Sequence, residues 1–187
     1  MVLEPRRIGE TLTMSHEKAF AVWLVPGGAA RERLRALIEA LARETGGPAF
    51  APHLTLVGGL RGDGGELAAK LVALGPALRP VELRMQGPAV GDAYHRCVFL
   101  DVARTEPLAG LRGAVQAALG AKDSAFRPHV SLVYGDLAAE RRRAIAADPR
   151  VVSLGQEVCW AERLELWAVA GPVDRWACVA ETAPRVS

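Results

Sequence analysis

The sequence predicts an α+β fold with largely antiparallel sheets, built from two similar halves. One observation behind this is a repeated octamer. Residues 50–57 read Phe-Ala-Pro-His-Leu-Thr-Leu-Val, and residues 126–133 read Phe-Arg-Pro-His-Val-Ser-Leu-Val. Their separation, 129 − 53 = 76 residues, is too long for a solenoid repeat and suits two halves of one domain. A second observation is that strict strand–helix alternation fails. Around 81–102 and 158–181 strand follows strand, which argues against a parallel doubly wound sheet. The third is size: 187 residues, 50% hydrophobic, can build a real core.

The elements follow in order. Residues 1–18 are polar and unperiodic and lack the apolar core of a signal peptide. They read as a tail or late-added strand preceding a bilobal domain over 19–187, with His16 a solvated residue. Residues 19–25 form an apolar run, hence a buried strand, ended by Pro26-Gly27-Gly28. Trp23 within it is expected in the core. Residues 29–45 are an amphipathic helix, with Leu34, Leu37, Ile38 and Leu41 at i, i+3, i+4 and i+7. Gly46-Gly47-Pro48 stops it. The first octamer ends at Gly58-Gly59, a turn or bulge. It is not a phosphate loop, because no Gly-Lys-Ser/Thr follows.

Residues 66–74 read as a second helix, closed by Gly75-Pro76, and 81–85 as a strand. Gly87-Pro88 and Gly91-Asp92 mark a break before a central strand at 94–102. On that strand His95 is expected to be partly exposed, and Arg96 to make a surface ion pair rather than bind phosphate. Residues 107–120 form a helix with Leu108, Leu111, Val115 and Leu119 as its apolar side. The second octamer follows within 125–134. Residues 138–147 are a polar helix whose Arg141-Arg142-Arg143 run is a solvated face. Residues 158–169 and 176–181 are strands joined by Gly171-Pro172, a hairpin.

The octamer carries chemistry. Proline lacks an N–H, so Pro52 and Pro128 belong at strand starts. Side chains alternate along a strand, so His53 shares a face with Thr55, and His129 with Ser131. If the halves pack about a pseudo-two-fold axis, two imidazoles and two hydroxyls converge on one cavity. One imidazole can take a proton from water while the other gives one to a leaving oxygen. Hydroxyls can hold phosphate oxygens. Neither motif has a neighbouring carboxylate or Cys to complete a metal ligand set, so no metal or cofactor is expected.

The motifs His53-Leu54-Thr55-Leu56 and His129-Val130-Ser131-Leu132 resemble those of the two-histidine (2H) phosphoesterases. Within that superfamily the resemblance is to cyclic phosphodiesterases acting on ADP-ribose 1″,2″-cyclic phosphate and 2′,3′-cyclic nucleotides. It runs from about Ala19 to Glu181 and includes the segments 21–26, 97–100 and 128–134. It implies two lobes, each a helix-backed antiparallel sheet, facing a central cleft. It also implies His129 as the base that activates water and His53 as the acid, although the near symmetry of the motifs lets these roles be swapped. Thr55 and Ser131 would hold the phosphate oxygens. Tyr134 would lie near the phosphate, although strict alternation from His129 points it to the opposite face unless a bulge turns it inward. The resemblance further offers Trp23 a place at the cavity wall against a base or sugar.

Composition bounds the alternatives. A net charge of +2 gives no general case for a nucleic-acid coat. A 2′-5′ RNA ligase-like phosphodiesterase acting on RNA ends would want a longer basic groove. A non-catalytic nucleotide- or phosphate-binding module would not need both motifs intact. The three cysteines are odd in number and lack metal spacing, which reads as reduced, buried thiols. No run reaches the ~18 apolar residues of a membrane span. A cytoplasmic monomer taking a small cyclic-phosphate nucleotide is expected, and the Ala-, Arg- and Gly-rich composition suggests a bacterial source.

Overall fold

A computed structural model describes residues 19–183; the tail at 1–18, with His16, lies outside the described residues. The elements are β1 (Phe20–Pro26), α1 (Gly28–Thr45), β2 (Leu54–Leu60), α2 (Gly64–Ala73), β3 (Val81–Ala93), β4 (Arg96–Val102), α3 (Glu106–Leu119), β5 (His129–Val133), α4 (Ala139–Ala146), α5 (Pro149–Leu154), β6 (Val158–Ala168) and β7 (Ala177–Thr182). Single 3-10 turns at Gly75–Ala77 and Val173–Arg175 punctuate the chain.

Every strand pairing is antiparallel. The order is β1-β2-β5-β4-β3-β6-β7, and β6 also pairs with β1. This makes two lobes. One is β2-β1-β6-β7. The other is β5-β4-β3, joined to the start of β6 through Val81↔Ala161 to Arg84↔Val158. The lobes meet again where β2 touches β5 through one bridge, Leu54↔Val130. The helices respect the same approximate symmetry. α1, leading into the first motif, packs against β5, while α3, leading into the second, packs against β2. A shared apolar core, with Leu34, Ile38, Leu54, Leu100, Val130 and Leu164 nearly inaccessible, fills the space between sheet and helices.

Local chemistry explains the boundaries. α1 buries Leu34, Leu37, Ile38 and Leu41 and stops at Gly46, whose φ of 72° is the left-handed cap that glycine adopts most readily. The side chains of Asp63 and Thr105 cap α2 and α3 by accepting from Glu66 N and Leu108 N. α5 was not anticipated, although its signal is present: Asp148 caps it and Pro149 occupies its first turn.

Three expectations need correction. The predicted break near Gly87-Pro88 is a bulge inside one 13-residue strand: the register against β4 shifts between Met85 and Pro88, and Gly87 takes φ 105°. Tyr94 and His95 form the β3–β4 turn rather than opening β4. Cys97 and Cys159 are buried, but Cys178 is exposed. The reading of Gly58-Gly59 as a bulge fits: β2 continues to Leu60 with register shifts against β1. β6 and β7 pair as the expected hairpin.

Candidate active site

Pro52 and Pro128 lead into the two motif strands at their contact point. Extending the Leu54↔Val130 register by one residue places His53 beside Ser131 and Thr55 beside His129. All four line one cavity of about 500 Å³. Each imidazole is oriented in the same way. His53 Nδ1 lies 2.6 Å from the Ala51 carbonyl oxygen, and His129 Nδ1 lies 2.8 Å from that of Arg127. A carbonyl only accepts, so both Nδ1 atoms carry the proton and both Nε2 atoms keep a lone pair. The lock is made by the carbonyl two residues upstream in each half, across the proline.

His53 is almost wholly buried. Its ring stacks on Trp23 at 3.6 Å between centroids and 8° between planes. The Tyr134 hydroxyl, 3.3 Å from His53 Nε2, donates to it. Burial pushes the His53 pKa down from 6.5 to about 4, outweighing the Ala51 carbonyl, which favours the imidazolium; His129 adds a smaller downward push. Burial of Tyr134 raises its own pKa, so it remains a donor.

Trp23 lies between β2 and β6, so its ring neighbours approach from opposite flanks. His53 covers one face and Trp167, at 4.3 Å, the other. Trp167 is held in turn by its indole N–H, which donates to Glu165 at 2.7 Å. With both faces covered, Trp23 is at once core and cavity wall, and it offers a ligand an edge rather than a stacking surface. That surface lies with Trp176 and Tyr94 at the rim.

His129 is less enclosed. Phe99 meets it edge-on at 5.2 Å. Asp101, its cross-strand partner, is occupied by a two-pronged ion pair with Arg127, at 2.8 and 2.7 Å. Burial is again the first cause of a lowered pKa; Arg96 and Arg127 add to the lowering, while the Arg127 carbonyl and Asp101 oppose it. Ser131 donates its hydroxyl to the His95 carbonyl at 3.0 Å, so it must turn to donate to a phosphate.

Tyr134 reaches the cavity because β5 carries the required bulge. Phe99 pairs with Ser131, but Val98 pairs with Val133, so Leu132 is an extra residue and the alternation is reset. The ring then stacks on Phe50 at 3.8 Å.

Sequence reasoning missed the part of the wall contributed by the β3–β4 turn. His95 is exposed as expected, but it lines the cavity, and its ring lies 5.1 Å from Tyr134 and 5.4 Å from Trp176. Arg96 also lines the cavity and has no ion-pair partner among the described residues, contrary to expectation. A turn has no periodicity from which such a placement could be read. Arg112 was likewise passed over. It is buried on α3 and donates to the Leu56 carbonyl at 3.2 Å and the Ser124 carbonyl at 2.9 Å, tying the first motif strand to the approach of the second. Among the described residues no group of three or more His, Cys, Asp or Glu could hold a metal ion. No described helix is long and apolar enough to cross a membrane.

Comparison with known proteins agrees with this architecture. The sequence matches the cyclic phosphodiesterase-like protein family over residues 18–183. A cyclic phosphodiesterase of Arabidopsis thaliana is 24% identical over 125 residues, spanning 66% of this chain and 69% of that one. E. coli LigT complexed with 3'-AMP superposes with a TM-score of 0.61 at 17% identity, over 91% of this chain and 99% of that one. TT0787 of Thermus thermophilus gives 0.59 at 20% identity, over 89% and 98%. At these identities the structural likeness speaks to the fold.

Proposed function

We propose that this chain, which belongs to the cyclic phosphodiesterase-like protein family and is a phosphodiesterase of the 2H superfamily, opens a small cyclic phosphodiester by hydrolysis. The substrate is ADP-ribose 1″,2″-cyclic phosphate or a nucleoside 2′,3′-cyclic phosphate, and the product is the monoester. One observation carries this reading: two imidazoles with their Nε2 atoms unprotonated, each beside the other motif's hydroxyl, in one cavity.

In the reaction, His129 Nε2 takes a proton from water as the water oxygen bonds to phosphorus. The ring P–O bond breaks, and His53 Nε2 protonates the departing ribose oxygen. Thr55, Ser131 and Tyr134 donate to the non-bridging oxygens and hold the phosphorus in line. Catalysis needs one proton on the pair, and burial leaves His53 neutral in the free protein at pH 7. The anionic phosphate and the indole face of Trp23 both favour the imidazolium, so His53 takes up its proton as substrate arrives. The chemistry calls on no metal ion. LigT structures carrying phosphate and 3'-AMP support a small anionic nucleotide as ligand.

The test is turnover of a 2′,3′-cyclic mononucleotide and of ADP-ribose 1″,2″-cyclic phosphate with EDTA present. Wild type should turn over at least one, and His53→Ala and His129→Ala should each lose about 10²–10⁴ in rate. Cleavage confined to RNA ends would transfer the same site to a polynucleotide substrate. Nucleotide binding without any turnover would leave a binding module.

A further inference from the structure

Three arginines have a buried Nε without a hydrogen-bond partner among the described residues: Arg96, Arg142 and Arg163. Two of them are neutralised through other nitrogens. Arg142 pairs with Asp92 at 2.6 Å and Arg163 with Glu165 at 2.8 Å. Arg96 has no carboxylate partner among the described residues. Among the described residues it is also the one permanently charged group in the wall of the catalytic cavity, to which they contribute no carboxylate. The neighbouring Arg127 is already taken by Asp101.

The charge balance of the proposed reaction asks for such a group. A cyclic diester carries one negative charge. As neutral water adds and gives its proton to His129, the oxygens around phosphorus come to share two charges until His53 protonates the departing ribose oxygen, and the product monoester regains the second when its remaining P–OH ionises. Thr55, Ser131 and Tyr134 are neutral donors. His53 and His129 carry only the proton they transfer, and Trp23 and Trp176 offer no charge. A second negative charge in an aromatic-walled cavity is costly unless a fixed cation faces it.

We propose that Arg96 is the charge-compensating residue of this site, its guanidinium meeting the non-bridging oxygens as the second negative charge develops. The inference rests on the phosphodiesterase reading above and names a residue outside both motifs. A guanidinium fork matches two phosphate oxygens, whereas an unpaired Nε has no structural use. The same cation faces His129 together with Asp101 and Arg127 of the adjoining strand and loop, and it helps keep that ring neutral.

The experiment compares wild type with Arg96→Met, Arg96→Gln and Arg96→Lys, each checked for an unchanged thermal transition. Arg96→Met and Arg96→Gln should lower kcat by about 10²-fold with little change in KM, the mark of an interaction made in the transition state. Inhibition by the monoester product should weaken more than KM rises. The NMR titration of His129 should move to higher pH in Arg96→Met, and Arg96→Lys should restore the wild-type titration and most of kcat. Unchanged kcat, or a rise in KM alone, would overturn the inference while leaving the phosphodiesterase reading intact. Absence of wild-type turnover would sink that reading instead. Inorganic phosphate binding, weakened in Arg96→Met and kept in Arg96→Lys, would still report on Arg96, and equal binding by all four proteins would count against it.

Discussion

The depressed pKa of His53 makes folding sensitive to acid in a way that can be isolated. In the unfolded chain the imidazole titrates near 6.5, and in the folded protein burial lowers this to about 4. Between those values the unfolded chain holds more protons. The contribution of His53 to stability is therefore complete above 6.5 and is lost as the pH falls through 4. At about 1.36 kcal/mol per pKa unit, the loss between pH 7 and 4 is about 3 kcal/mol. His53→Asn removes the titration while its side-chain amide can still donate to the Ala51 carbonyl. Urea unfolding of both proteins at pH 7, 5.5 and 4 gives the comparison, because carboxylate contributions are common to the two and cancel. The wild type should lose about 3 kcal/mol more than His53→Asn over this range. Parallel curves would mean that the ring is not held neutral by burial, and the account of the Trp23 stack would fail with it.

Both histidine pKa values are lowered, so kcat/KM should be bell-shaped with its optimum below pH 6.5; a plateau from pH 5 to 9 would contradict the one-proton pair. Binding of inorganic phosphate at pH 7 should take up a proton, read by calorimetry in buffers of different ionisation enthalpy, and the uptake should vanish in His53→Asn. Tyr134→Phe keeps the stack on Phe50 but loses the hydroxyl, so kcat should fall while the thermal transition stays in place; an unchanged kcat would remove Tyr134 from the phosphate site. Arg112→Met leaves the carbonyls of Leu56 and Ser124 without their donor and should destabilise the protein by about 2–4 kcal/mol in urea unfolding, with no comparable effect expected from Arg141→Met.

The motif strands were legible because a strand projects alternate residues to one face, and the duplicated octamer repeats that projection. Spacing alone pairs His53 with Thr55 and His129 with Ser131; bringing the two pairs together needs the further condition that the halves pack about a pseudo-two-fold axis. The family resemblance flags Tyr134 while the alternation count from His129 points it away, and only the pairing with β4 reveals Leu132 as the extra residue. The imidazole lock onto Ala51 and Arg127 depends on backbone turns before each strand, which carry no periodic signal. Trp23 reads as core and is core; its contact with His53 depends on which strands flank β1. His95 lies in the β3–β4 turn and Arg96 opens β4 directly after it, where neighbours in space are not neighbours in pattern. Nothing in the helix pattern singles out Arg112, because its partners, Leu56 and Ser124, lie 56 and 12 positions away.

The single Leu54↔Val130 bridge bears on regiochemistry. Around it the two motifs present interchangeable donors, so a phosphate centred there meets the same groups from either side. The proposed substrate has no such symmetry, since its ring joins phosphorus through two different ribose oxygens. A seat indifferent to rotation by half a turn accepts the ester both ways round, and the hydroxyls within it do not select which P–O bond is cut. That selection falls to whatever distinguishes the two sides: the tryptophan against one imidazole, the arginine beside the other, and the aromatic rim that receives the rest of the molecule. Exchanging these outer groups should redistribute the two isomeric monoesters, whereas exchanging Thr55 and Ser131 for one another should alter how fast they form but not their ratio.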